Sequence, residues 1–179
     1  MRYYCFLLIC VACFKPCNAQ QIDVTAIDQA LLHRLFLVEV NTQRTTLKLP
    51  LLTIDSTLNV MANYQAEYMA KNNVLGHTQP NKTKATLSKR AQLAKVNYTA
   101  IGENCLYVPY QVPFKIKNKT YTIHTYQELA NAMFLSWKSS PAHYKNIKNK
   151  NFVWSGFYIG YNKASNNIYA THVLCSAQK

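Results

Sequence analysis

Two β-rich runs close the chain, 152–161 and 168–176, and they limit the fold more than any other feature. They are joined by Asn162-Lys-Ala-Ser-Asn-Asn167, a polar connection that reads as an antiparallel hairpin. Upstream, apolar residues keep helical spacing. In 22–46, Ile27, Leu31, Leu35, Val38 and Thr42 recur at steps of three and four, and Pro50 ends the run. Asp55 or Ser56 caps a second helix with Leu58, Met61, Ala62, Gln65, Ala66 and Met69 on one face, ending near Asn72-Asn73. A short helix is expected through Arg90 and Ala94. Thr125-Tyr-Gln-Glu128 is a capping box opening a helix with Leu129, Met133 and Trp137 inward. Ser140-Pro141 starts another short helix, with the Ser140 hydroxyl expected on backbone amides. Helices before a terminal antiparallel pair predict a single α+β domain, and 179 residues suit one core.

Residues 1–19 read as a secretory signal peptide. Arg2 precedes an apolar run at 5–14, and Cys17-Asn18-Ala19 precede a cut before Gln20. The run is too short to span a bilayer, which needs about 20 residues, and no later segment qualifies. The expected product is residues 20–179, secreted or periplasmic. Four of six cysteines fall in the leader, leaving Cys105 and Cys175. In an exported protein such a pair reads as one disulfide, worth about 4 kcal/mol by chain entropy. Two unpaired buried thiols are the other reading. Asn81, Asn97 and Asn118 sit in glycosylation sequons, a weak signal in Asn/Lys/Thr-rich sequence.

The chain has 20 Lys+Arg against 7 Asp+Glu, a net charge of +13 that becomes +11 without the leader. With 49% hydrophobic residues, disorder is excluded despite this charge. The charge calls for an anionic partner; export argues against nucleic acid and for an envelope polymer or membrane surface. The basic stretch 144–150 defaults to a solvated face.

Four segments occur in a telling order: 58–70 with Met61-Ala62 and Met69-Ala70, Gly76-His77-Thr78, Gly102-Glu103-Asn104, and Trp137-x-x-Ser140-Pro141-x-His143. Together they resemble the CAP superfamily of cysteine-rich secretory proteins, antigen 5 and pathogenesis-related 1, closest to its bacterial SCP-like branch. Asn41-x-x-Arg44, Arg90 and 152–156 add smaller echoes. The resemblance implies a three-layer α-β-α sandwich, an antiparallel sheet flanked by helices, with a cleft of two histidines and two acids. Here His77, Glu103 and His143 match, while the second acid is replaced by Ser140, as is common in the bacterial branch.

Each of these residues has an ordinary explanation beside the functional one. His77 follows a helix end, where the dipole favours an imidazolium; Glu103 could pair with any of many cations; His143 in a first helical turn should stay neutral. As a set, two imidazoles and a carboxylate could hold a divalent metal such as zinc, with His77 and His143 as ligands, or exchange protons. The resemblance therefore implies an exported binding module for a small apolar, lipid-like or cell-envelope ligand. The alternative is a metal-assisted extracellular hydrolase or peptidase using the same trio. The Tyr-rich excursion 106–126 is expected to overhang the cleft.

Overall fold

The computed structural model describes residues 20–176; the predicted leader lies outside the described residues. Its elements run α1 (Gln29–Thr46), β1 (Thr53–Ile54), α2 (Ser56–Asn72), α3 (Leu87–Leu93), β2 (Ile101–Pro109), β3 (Phe114–Ile116), β4 (Lys119–Tyr121), α4 (Tyr126–Ser139), α5 (Pro141–Ile147), β5 (Phe152–Asn162) and β6 (Asn167–Ser176). A four-stranded sheet has the order β1-β5-β6-β2, and β3-β4 form a separate hairpin. β5, β6 and β2 are antiparallel. The two-residue β1 adds a parallel pair with β5, because the extended lead-in to α2 is fixed there by Asp55 N–H donating to Ser155 O.

Strand alternation separates two packing layers. Leu106, Val108, Ala170 and Leu174 join Phe36, Leu129, Met133 and Trp137 of α1 and α4. From the opposite face, Val173 and Cys175 meet Leu58, Met61 and Ala62 of α2 with Ala91 of α3. This is the expected α-β-α sandwich. Gly156 and Gly160 permit α2 to lie directly on β5. A Cβ at Gly156 would stand 2.2 Å from the Leu58 backbone, and one at Gly160 would stand 2.7 Å from Ala70 Cβ.

The α2 and α4 faces are buried as their spacing predicts, and the Thr125/Glu128 capping box forms. The first helix differs. Asp28 caps it by accepting from Leu31 N–H, so it starts at Gln29, and Gln20–Ile22 instead run extended beside His124–Tyr126. Its inward face is Leu32, His33, Phe36, Leu37, Val40 and Arg44, with Val38 63% exposed. Two buried polar residues conceal that stripe from a hydrophobic reading. Arg44 is fully buried without an acid, donating to the carbonyls of Pro50, Ile147, Asn149 and Phe152.

The expected Cys105–Cys175 disulfide is absent; both are buried free thiols. Cys105 pairs across β2-β6 with Thr171, whereas Cys175 pairs with Ile101. Four rungs separate them by about 13 Å along the strands, beyond the ~7 Å Cα separation a disulfide spans. The excursion also departs from expectation. Tyr110 packs in the α1/α4 core and donates to Ile22 O, and Ile116 and Tyr121 pack against that same core. Burying these apolar side chains draws the hairpin onto the sheet face opposite α2, away from His77.

Candidate functional site

The site forms where edge strand β2 meets the end of α2 on one side and α5 on the other. Asn73 closes α2 in the left-handed conformation, φ 51° and ψ 45°, turning the chain toward Gly76-His77. Buried Gln65 then donates to Gly76 O at 2.7 Å. Gln79 bonds both Gln65 Oε1 and Tyr64 O, so the loop carrying His77 is tied to α2 at both ends.

Alternation along β2 turns Glu103 toward the α2 side and Asn104 toward α5. The Glu103 carboxylate is 2% exposed and fully engaged: Oε1 lies 2.9 Å from His77 Nδ1, and Oε2 lies 2.7 Å from Arg90 Nη2. Arg90 also donates to the carbonyls of His77 and Lys84. One buried guanidinium thus fixes both the carboxylate and the backbone of the histidine it serves. A carboxylate held by a cation accepts from Nδ1–H and leaves His77 Nε2 facing outward. The His77 side chain is 54% exposed. Its pKa is raised, first by the Glu103 hydrogen bond.

Asn104, fully buried, donates to His143 O at 3.1 Å and accepts from Asn146 Nδ2 at 2.8 Å. These bonds seat α5 on β2. The half-buried His143 has its pKa lowered, first by burial and then by repulsion from His77. The two imidazoles therefore sense each other, and His143 favours the neutral form, as a first-turn position requires. Ser140 is the N-cap of α5 but its side chain makes no cap hydrogen bond. The expected bond from the first-turn amides to its hydroxyl is thus not made, and Pro141 alone, with its fixed φ, marks the start of the helix.

The structure thus brings His77 and Glu103 into contact and His143 into the same neighbourhood. Arg90, Asn104, Asn146, Gln65 and Gln79 position them. The sequence places Gln65 on the α2 face, Asn104 beside the site acid and Arg90 as an echo of the family pattern, while Gln79 and Asn146 carry no sequence signal of their own. His33 and His172 are buried on either side of Ser155, each Nε2 3.0 Å from its hydroxyl, and belong to the core.

The surroundings are polar. A hollow of about 530 Å³ runs beside α2 between Tyr64, Glu67, Tyr68 and Lys71 and the loop residues Gln79, Asn81 and Lys84. More apolar hollows lie elsewhere, against Leu37, Val38 and Leu51, and between Ile116 and Leu135.

Residues 37–176 match the profile of the cysteine-rich secretory protein family, CAP. The fold is similar to that of an extracellular SCP-domain protein from Bacillus anthracis, at TM-score 0.62 and 22% identity. That match covers 83% of this chain but only 41% of the Bacillus protein. An outer surface protein of Borrelia burgdorferi matches over 90% of this chain and 99% of its own, at TM-score 0.64 and 18% identity. NaASP2, solved with Zn2+, matches at TM-score 0.51 and 14% identity, over 89% of this chain and 82% of its own. No curated protein matches the chain significantly in sequence. Among the described residues, no helix is long and apolar enough to cross a membrane.

Proposed function

Because the chain belongs to the CAP family of cysteine-rich secretory proteins, we propose that it is exported after loss of residues 1–19 and binds an anionic component of the cell envelope. The observation that carries this reading is the charge bias of the stretch of sequence that contains the site residues. Residues 71–150, which contain His77, Glu103 and His143, hold 13 of the 20 Lys+Arg and only 2 of the 7 Asp+Glu. Both acids are occupied, Glu103 by Arg90 and Glu128 by its own capping box. Lys71 and Lys84 border the polar hollow that shares Gln79 with the His77 loop, against one acid in its lining, Glu67. A phosphate-bearing polymer would meet lysines there and, with His77 protonated, its Nε2–H at the cleft. Extracellular and outer-surface placement of the similar proteins supports the compartment. A small apolar or lipid-like ligand is less well served, since the apolar hollows lie away from His77.

The test is titration of the protein with polyglycerol phosphate at low and high salt. Saturable binding that falls steeply with salt is expected, weakened by Lys71→Glu with Lys84→Glu and by His77→Ala. Absence of binding at low salt overturns the reading.

A second reading, a metal-assisted hydrolase, is favoured by the imidazole pair and by a fold neighbour solved with zinc. The residues fit such a centre. His77 offers Nε2, His143 is held toward its neutral form, and Glu103 orients His77 from behind. Zinc, when bound, supplies Lewis acidity. Turnover of a peptide panel that disappears in His77→Ala would favour this reading over binding alone.

A further inference from the structure

The Nδ1 side of His77 faces a second set of donors. Glu103 and Cys105 are two residues apart on β2 and point to the same side of the sheet. His77 Nδ1, a Glu103 oxygen and Cys105 Sγ all lie within 4.8 Å of one another. Sγ is also 3.8 Å from Thr171 Oγ1. Arg90 occupies Glu103 Oε2 and leaves Oε1 on the thiol and imidazole side.

We propose that His77, Glu103 and Cys105 form an inner site for a borderline-to-soft divalent cation such as zinc or cadmium. This rests on the cleft reading only for the position of His77, and uses the opposite ring nitrogen from the imidazole pair. One imidazole, one thiolate and one carboxylate are a donor set zinc accepts, a water completing the four. Tetrahedral bonds place donors about 3.5 Å apart, and rotation of the exposed His77 ring provides the closure. The thiol proton leaves as the cation binds; the Nδ1 proton transfers to Nε2 through solvent, so one proton is released per cation. Arg90 opposes the added charge, and the new thiolate offsets it.

The test is titration of the reduced protein with Co2+, reading the sulfur-to-cobalt charge-transfer band and the proton released. A band saturating at one Co2+ per chain is expected. It should be retained in His143→Ala and Cys175→Ser and lost in Cys105→Ala and His77→Ala. Absence of the band in the unaltered protein, or its survival in Cys105→Ala, overturns the proposal. Should Cys105→Ala fail to fold, alkylation in mild denaturant decides: zinc should slow labelling of Cys105 but not Cys175, and equal labelling rates overturn the site. Loss of polyglycerol phosphate binding with the band intact removes the envelope reading alone.

Discussion

Arg90 and Glu103 form an ion pair closed to solvent, with side chains 0% and 2% exposed and 2.7 Å between Nη2 and Oε2. It is the mechanical centre of the cleft, because the same carboxylate holds the His77 ring and the same guanidinium holds the His77 carbonyl. Glu103→Gln keeps the shape but strands a buried cation. The expected loss is about 3–5 kcal/mol in chemical denaturation. A variant within about 1 kcal/mol of the parent would remove the pair from this role.

The same substitution should show in the titration of His77. Its pKa is raised in the fold, so its stabilisation is complete below the ordinary imidazole pKa and fades as pH rises through the raised value. By NMR, His77 should titrate lower in Glu103→Gln than in the parent.

The buried His33 titrates the other way. Burial lowers its pKa to about 4 from 6.5, so the fold favours the neutral ring. Between those values the unfolded chain binds more protons, and stability falls as pH drops through the window. The expected loss is about 3 kcal/mol between pH 6.5 and 4. Denaturation of His33→Gln across this window should show a shallower dependence.

The sheet-to-helix contact predicts a contrast between two glycines. Gly156→Ala places a methyl group 2.2 Å from the Leu58 backbone, which cannot yield without moving α2. A cost of about 1–3 kcal/mol or more is expected from overpacking. Gly76→Ala meets nothing within 4 Å and should melt like the parent.

The thiols give a mass-spectrometric check. Cys105 and Cys175 are buried, and burial raises both thiol pKa values, Cys175 to about 11. Both should resist alkylation in the folded protein and label completely after denaturation without any reductant. A mass two hydrogens lighter before reduction would reinstate the disulfide.

Much of this architecture was legible in the chain itself. Spacing and capping residues decided α2 and α4, since those signals are local: Leu58 through Met69 recur on one face, and Thr125 and Glu128 meet within one turn. The ordered segments carrying His77, Glu103 and His143 pointed to one cleft. The α1 face was misread because its inward stripe includes His33 and Arg44, whose burial depends on a distant serine hydroxyl and distant carbonyls.

Sequence by itself determined the helical and strand periods, the charge excess and the order of the segments that carry His77, Glu103 and His143, all properties of neighbours along the chain. Tertiary structure alone decided strand register, and register placed Cys105 four rungs from Cys175 and beside Glu103. It also chose Arg90 as the partner of Glu103 and sent the 114–121 hairpin to the face opposite α2. Such pairings depend on which distant surfaces bury together, a matter that no local spacing records.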